Sequence, residues 1–250
     1  MKRRVWFRRL ALKATTHVVV PSQTLVDIAE GTWRMDPSKI IYVPNGVNVA
    51  KFAEPPKLGV VADFEKQPDE LIVGAVAPLR PEKNLGRLVE TFAGVKNRTR
   101  LLLVGDGPER EKLKTLAREL GVVDRVIFAG HVNAPERVLG WFDVFAITST
   151  IEQMPIALLE AMAAGLPIVG VDVGEVKLNV APENQEFIVP KSDQAGLGSA
   201  LERLLNDGEL RLRLGRLNRQ RVETHYAESR MLRAYEELIR NYSSVPAVKV

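Results

Sequence analysis

The feature that most constrains the fold is an alternation of short, predominantly apolar segments with longer amphipathic ones. The apolar segments predict strands at 16–20, 39–43, 71–76, 100–105, 125–130, 144–148, 167–171 and 187–190. The amphipathic segments predict helices at 84–95, 108–120, 155–164, 193–205, 207–223 and 227–242. Nearly continuous apolar strands are typical of a parallel sheet covered by helices on both faces. With right-handed crossovers, we expect an α/β protein with a Rossmann-like, doubly wound parallel sheet.

Two further local signals concern the first third of the chain. Ser22 follows the first predicted strand and is expected to cap a short helix. Residues 53–69 contain three prolines and a glycine and predict a loop.

Composition narrows the class of protein. The chain has 250 residues, enough for one large domain with a sizeable core, and 46% of them are hydrophobic. It contains no cysteine, which excludes disulfides, cysteine-ligated metals and a thiol nucleophile. The three histidines, His17, His131 and His225, are far apart, so we expect no histidine-built metal site. No apolar run approaches the about 20 residues that a membrane-spanning helix needs.

The positive charge is concentrated at one end of the chain. The net charge is +4, but residues 1–26 carry six basic residues and no acidic one, so the rest of the chain is slightly acidic. The basicity is therefore no argument for nucleic-acid binding by the main body. Residues 1–14 resemble a basic amphipathic helix, which either lies on a membrane surface or packs on the protein by its apolar side chains. We expect a cytoplasmic location, with peripheral contact to the inner face of a membrane as the finer hypothesis.

Ligands of a doubly wound sheet bind at the carboxyl ends of its strands. The segments just after the predicted strand ends are 78–83, 105–108, 130–133, 149–155 and 172–175. One of them begins the pattern Gly105-Asp106-Gly107-Pro108-Glu109-Arg110, which follows a strand and opens a helix, as a dinucleotide-binding motif does. Arg110 occupies the third glycine position, and no acidic residue ends the next strand. A tight strand-to-helix turn is favoured over NAD binding.

A second candidate is the loop that contains Arg80 and Lys83, directly before a predicted helix. Arginine offers a planar fork and lysine a point charge to phosphate oxygens, and the helix N-terminus adds free N–H donors. This combination suits a diphosphate. The alternative is a solvated basic loop.

The third candidate combines Glu152, on a loop, with Glu160, on the following helix. The backbone N–H groups of 153–157 lie between the two carboxylates, and Pro155 suits the first helical turn. Anion donors flanked by carboxylate acceptors suit a ligand with a phosphate core and hydroxyl-bearing sugars. The alternative is that Glu152 caps the helix and Glu160 is solvated.

Glu152 and Glu160, followed by the sequence AMAAGLPIV, resemble the glutamate-x7-glutamate signature of the family-4 retaining glycosyltransferases of GT-B fold. Further segments resemble that family in the same order, namely VVPSQTL (19–25), IIYVPNGVNVAKF (40–52), RPEKNLGRLVETFA (80–93), LLLVGDGPEREKL (102–113), RVIFAGHV (125–132) and VGEVKLNVAPEN (173–184). The resemblance covers residues 16 to about 242. It implies transfer of a sugar from a nucleotide diphosphate sugar, such as a UDP- or GDP-sugar, to an acceptor hydroxyl with retention of configuration.

The resemblance also implies roles for individual residues. Glu160 would hold the ribose hydroxyls, Glu152 the hydroxyls of the transferred sugar, and Lys83 the diphosphate leaving group. Catalytic roles are expected for Glu152 and Lys83. The expected donor-binding residues are Arg80, Lys83, Gly107, His131, Val132, Glu152, Gln153, Met154, Pro155 and Glu160. Neither a metal nor a cofactor is implied.

Two positions depart from the family pattern. Pro78 stands where the family usually has an arginine, and Arg80 is the expected substitute. Gln153 stands where glycine is common, so its side chain would either intrude on the sugar or bind one of its hydroxyls.

The family resemblance accounts for only half of a GT-B enzyme. We expect residues 1–35 to be a remnant of the N-terminal acceptor domain, 36–225 the donor-binding domain, and 226–250 a crossover helix and tail. The expected partners are a nucleotide-sugar donor and a sugar, glycan or lipid-linked acceptor, and such a chain by itself would bind donor yet transfer little sugar. Its exposed interdomain face predicts association, with itself or with a partner. The alternatives are a catalytically silent nucleotide-sugar-binding or assembly module and a nucleotide-sugar epimerase of the same architecture.

Overall fold

The computed structural model describes residues 2–62, 64–96 and 98–243. Its main sheet has six parallel strands, which are β3 (Leu71–Val76), β4 (Thr99–Val104), β5 (Val126–Gly130), β6 (Val144–Ile147), β7 (Ile168–Val171) and β8 (Ile188–Val189). Their order is β5-β4-β3-β6-β7-β8. A smaller parallel pair is formed by β1 (Val18–Val20) and β2 (Ile40–Tyr42). The expected doubly wound sheet is confirmed, with the direction of winding reversing between β3 and β6.

Helices cover the sheet as the amphipathic periodicity predicts. They are α1 (Lys2–Lys13), α2 (Gln23–Asp27), α3 (Leu85–Ala93), α4 (Arg110–Glu119), α5 (Glu136–Leu139), α6 (Ile156–Ala163), α7 (Val176–Asn179), α8 (Gln194–Asn206), α9 (Gly208–His225) and α10 (Glu228–Ser243). All eight predicted strands and all six predicted helices are present with ends within two residues, and Ser22 caps α2 through a bond from the Leu25 N–H to its Oγ (3.1 Å). The one-turn helices α5 and α7 were not predicted. None of the helices in the described part of the chain is long and apolar enough to cross a membrane.

The core lies on both faces of the sheet, because β3, β4, β6 and β7 are buried almost throughout. Two fully buried amide side chains, Asn184 and, on α9, Asn218, lie next to the first residue of β7. Asn184 exchanges two hydrogen bonds with the backbone of Ile168, at 2.9 and 2.7 Å, and also accepts one from Asn218 (2.8 Å). Buried polar groups without partners are costly, so this cluster satisfies backbone groups that β7 leaves unpaired.

The N-terminal part of the chain joins the main body through residues 43–47. The Val43 N–H continues the β1–β2 pair by donating to Val20 O (3.0 Å). Val47 then bonds to both sides of the junction between α9 and α10, donating to Tyr226 O (2.9 Å) and accepting from the Glu228 N–H (3.0 Å). Since these segments meet at one point, β1, β2 and α10 are all placed at the same end of the main sheet.

Candidate functional site

A cavity of about 350 Å³ opens where the winding reverses between β3 and β6. The ends of those two strands, residues 75–78 and 145–149, form its floor, and the loop before α6 forms one side. This is the position at which doubly wound sheets bind their ligands. The cavity therefore defines the candidate site, and of the predicted residues Lys83, Glu152, Met154 and Pro155 line it.

Lys83 and Glu152 form an ion pair at the cavity wall. The Lys83 Nζ lies 2.6 Å from Glu152 Oε1, and their side chains are only 21% and 9% exposed. In such partial burial a cation and a carboxylate stabilise each other more than they would in water. The pair gives the site one positive and one negative group, each able to turn to a ligand. Glu152 was alternatively expected to cap α6, and this is wrong, because α6 begins after Pro155 without a side-chain cap.

Hydrogen bonds between two loops set the separation of that pair. Thr148 Oγ1 donates to Asn84 O (3.1 Å), and the Thr150 N–H donates to Glu82 O (2.8 Å). Asn84 is in the left-handed backbone conformation with φ of 48°, which asparagine tolerates better than most residues. The loop with Lys83 and the loop with Glu152 are thus joined directly.

Asn45 is a site residue that the sequence analysis did not single out. Its side-chain amide donates to Met154 O (2.9 Å), and the residue also lines the cavity. It therefore fixes the loop between Glu152 and α6 from the opposite side. The signal for it was present in the segment VPNGVN after β2, where a polar residue follows a strand.

Glu160 lies on α6 and does not line the cavity. Burial, with a smaller contribution from the charge of Glu136, raises the pKa of the Glu160 carboxyl to about 7. No hydrogen bond or ion pair to its carboxyl group occurs among the residues described. A half-buried carboxyl without a partner is suited to accept hydrogen bonds from a ligand. The expectation of a solvated Glu160 is wrong, because the side chain is partly buried.

The remaining predicted residues lie outside the cavity. Arg80 and His131 are exposed, and His131 Nε2 is 2.8 Å from Asn133 Oδ1. Val132 is half-buried and packs against the core. The Gln153 side chain is directed to Ser22, whose Oγ donates to its Oε1 (3.1 Å). The structure therefore groups Lys83, Glu152, Met154 and Pro155 at the cavity. The other four residues of this paragraph lie outside it.

Gly107 supports the site by close packing. A Cβ at Gly107 would lie 2.5 Å from Leu79 O, and one at Gly105 would lie 1.9 Å from Ala77 O. Both residues have positive φ values, 158° and 141°. Only glycine allows this approach, so the tight strand-to-helix turn favoured for this motif is confirmed.

Comparison with known proteins agrees with this geometry. The sequence model of the family described as glycosyl transferases group 1 matches residues 61–221. The chain belongs to this family. The group 1 match contains β3 to β8 and the whole cavity except Asn45.

Relatives and solved structures support the same assignment. The lipopolysaccharide core biosynthesis glycosyltransferase LpsD of Rhizobium meliloti is 32% identical over 177 residues, which are 71% of this chain and 51% of that protein. A D-inositol 3-phosphate glycosyltransferase of Stackebrandtia nassauensis is 30% identical over 215 residues, 80% of this chain and 47% of that protein. The group 1 chain thus spans about half the length of the curated relatives it matches.

Two solved structures show the fold. Sucrose-phosphate synthase from Thermosynechococcus elongatus superposes with a TM-score of 0.84 at 25% identity, over 98% of this chain and 63% of that one. Anabaena HepE in complex with UDP and glucose superposes with a TM-score of 0.84 at 18% identity, over 96% of this chain and 68% of that one. This group 1 chain accordingly has the Rossmann-like architecture of one half of a GT-B glycosyltransferase.

Proposed function

We propose that this chain is the donor-binding part of a retaining glycosyltransferase, which moves a sugar from a nucleotide diphosphate sugar to an acceptor hydroxyl. The observation that carries the proposal is the Lys83–Glu152 pair at the wall of the cavity between β3 and β6. A cation and a carboxylate at that position match the diphosphate and the hydroxyls of such a donor. Retention of configuration rests on the resemblance to the family-4 enzymes.

The chemistry assigns different tasks to the two groups. The diphosphate of the donor competes with Glu152 for the Lys83 ammonium, and negative charge grows on that diphosphate as the glycosidic bond breaks. Lys83 stabilises this charge. Stabilising a charge that develops in the transition state lowers the activation barrier, and the effect is larger where water is partly excluded. Glu152, released from Lys83, accepts hydrogen bonds from the sugar hydroxyls. The N–H groups of Gln153 and Met154 add donors beside it.

Glu160 and the outer residues complete the proposed donor site. The Glu160 carboxylate accepts from the ribose hydroxyls, and the turn at His131 and Val132 contacts the base. Arg80, which is exposed beside Pro78, turns towards the diphosphate and replaces the arginine that the family usually carries. Gly107 leaves room for the phosphates beside the turn. The donor requires no metal in this scheme, since Lys83 supplies the compensating charge.

The domain assignment remains the expected one. Residues 1–35 correspond to the end of an acceptor domain, 36–225 to the donor-binding domain, and 226–250 to the crossover helix and tail, of which 244–250 lie outside the described residues. Val47 bonds to both sides of the α9–α10 junction, so the chain enters and leaves the proposed donor-binding domain at neighbouring points. We infer that this chain binds the donor. Self-association through the interdomain face is part of this proposal.

Calorimetric titration with UDP, GDP and ADP tests the proposal. We expect one nucleotide to bind selectively and a Lys83→Ala, Glu160→Ala variant to lose that binding. Wild-type chain that is folded by circular dichroism yet binds no nucleotide would favour the catalytically silent assembly module, for which the exposed Pro78 is the supporting feature.

Product analysis then separates the reactions. With a nucleotide sugar and an acceptor, a glycosylated product indicates transfer. Free sugar beside free nucleotide indicates hydrolysis or epimerisation instead.

A further inference from the structure

A set of contacts outside the cavity joins the N-terminal part of the chain to the loop that carries Glu152. The contacts involve the β1–α2 segment, which we define as residues 18–32. Ser22 Oγ donates to Gln153 Oε1 (3.1 Å). Glu175 Oε1 accepts from the backbone N–H groups of Gln23 and Thr24, the latter at 3.3 Å. The Glu175 N–H in turn donates to Gln153 O (3.0 Å).

Glu175 is the centre of these contacts and is almost completely buried, with 3% of its surface exposed. No cation is paired with it in the described part of the chain, so the two backbone donors of α2 are what compensates its charge. Burial raises the pKa of the Glu175 carboxyl, and those donors oppose the rise. A buried carboxylate is tolerated only with such donors, so Glu175 holds the β1–α2 segment in place.

The loop that contains Glu175 also lies directly against the Glu152 loop. Gly174 has a φ of 55°, and a Cβ there would lie 2.3 Å from Glu152 O. The backbones of the two loops are therefore in contact at the residue before Glu175. Glu175 is thus linked to the Glu152 loop both by the backbone contact at Gly174 and by its own bond to Gln153 O.

We propose that Glu175, together with Ser22 and Gln153, is a positioning group that holds the Glu152 loop against the β1–α2 segment. The donor site then has its working shape only while that segment is docked. The role of Glu152 towards the sugar rests on the proposed function, whereas the coupling between the two segments involves no ligand.

This arrangement differs from an ordinary helix cap. A cap is usually supplied by the residue that precedes the helix and affects only the end of that helix. Ser22 already fills that role for α2, while Glu175 comes from a distant part of the chain and is bonded to the donor loop as well. The Ser22–Gln153 bond is made by the side chain of Gln153, so this link depends on the residue type at position 153.

Hydrogen exchange measured by mass spectrometry tests the coupling without a ligand. In Glu175→Ala, we expect exchange to rise about tenfold both in peptides that cover 22–28 and in peptides that cover 150–155. Glu175→Gln retains Oε1 as an acceptor and should restore most of the protection. Asp207→Ala is the matched control, because Asp207 caps α9 by accepting from the Leu210 N–H (2.9 Å) away from the site. The rise in exchange caused by Asp207→Ala should be confined to residues 207–212.

Two further variants test the bond between Ser22 and Gln153. Ser22→Ala and Gln153→Leu each remove one side of the same bond, so both should increase exchange at 150–155. When Ser22→Ala or Gln153→Leu is combined with Glu175→Ala, the additional rise in exchange at 150–155 should be smaller than the rise that the same substitution causes in the wild-type chain. Faster exchange of Glu175→Ala confined to 22–28 would show that Glu175 only caps α2 and would overturn the proposal.

A titration connects the coupling to the donor site. We expect Glu175→Ala to weaken the binding of UDP-glucose about tenfold relative to that of UDP, because Glu152 is proposed to contact the sugar and not the nucleotide. Asp207→Ala should leave this ratio unchanged, and Glu175→Gln should restore it. Equal weakening of both ligands would contradict a role at the sugar. Wild-type chain that binds neither these ligands nor GDP and ADP would count against the proposed function, while the exchange experiment would still decide the coupling.

Discussion

Lys83 and Glu152 depend on each other for charge compensation. Both side chains are largely buried, so the loss of one partner leaves the other as an uncompensated charge. We expect Lys83→Met and Glu152→Gln each to lower the free energy of unfolding by about 1–3 kcal/mol. The double variant should lose at least about 1 kcal/mol less than the sum of the two losses. Urea denaturation at pH 7 measures all three.

The exposed ion pair between Arg203 and Glu186 is the matched control for this cycle. Its N–O distance is 2.7 Å, similar to that of the site pair, but its side chains are 55% and 52% exposed. Its coupling energy should be below about 1 kcal/mol. Equal coupling in the two pairs would mean that burial adds nothing at Lys83 and Glu152.

Glu160 should make the stability of the chain depend on pH near neutrality. The folded pKa is about 7 against an ordinary value of 4.5, so the folded state binds the proton more tightly than the unfolded state. The resulting stabilisation is complete below pH 4.5 and is lost as the pH rises to about 7. Glu160→Gln removes this loss. Because the carboxyl is partly exposed and solvent-screened, we expect the variant to gain only about 1 kcal/mol over wild type between pH 5 and pH 8.

Thermal melts across that pH range measure the difference. Glu202→Gln, at an exposed position on α8, is the control for the loss of one negative charge. Parallel stability curves for wild type and Glu160→Gln would show that the carboxyl titrates at its ordinary pKa.

The contact between the loops before α6 and α7 gives a prediction for whole elements. Gly174→Ala places a Cβ against Glu152 O, so the two loops must separate. Gly121, at the end of α4, also has a left-handed backbone, with φ of 69°, but has no atom within 4 Å of the Cβ position. Each substitution should cost about 1 kcal/mol in backbone strain. Only Gly174→Ala should also weaken nucleotide-sugar binding, as measured by calorimetry, and equal affinities would contradict the importance of this contact.

The regular elements could be predicted from sequence, because each strand or long helix repeats its pattern over several residues. The one-turn helices α5 and α7 are too short to show a period. The sequence therefore did not indicate the influence of Glu136, on α5, whose charge contributes to the raised pKa of Glu160.

Residues that line the cavity were predictable where they follow a strand, as Lys83 and Glu152 do. The bond between Ser22 and Gln153 was not, because the two residues are 131 positions apart and the local sequence indicates for Ser22 only the cap of α2, which it also forms. Asn45 was similarly hidden, since its role depends on Met154 in a different segment.

At the scale of the whole molecule, basic and apolar side chains coincide on α1. Trp6, Phe7 and Leu10 are 58%, 62% and 55% exposed. The guanidinium of Arg8 lies over the ring of Trp33, 5.2 Å from its centroid, and Arg9 donates to Thr32 O (2.8 Å). The helix is thus anchored to the protein by its arginines while its aromatic residues face outwards. The hypothesis of peripheral membrane contact therefore depends on the outward-facing apolar side chains.

Sedimentation with phosphatidylcholine vesicles, with and without phosphatidylglycerol, tests that hypothesis. We expect binding only to the anionic vesicles and its loss at high salt, because each basic residue near such a surface contributes about 1 kcal/mol and salt screens it. Trp6→Ser, Phe7→Ser, Leu10→Ser should weaken binding at every salt concentration. Lys112→Gln, Lys114→Gln on α4 controls for cations elsewhere on the surface. Equal partitioning of all variants would mean that α1 has no membrane role and only packs against residues 32–39.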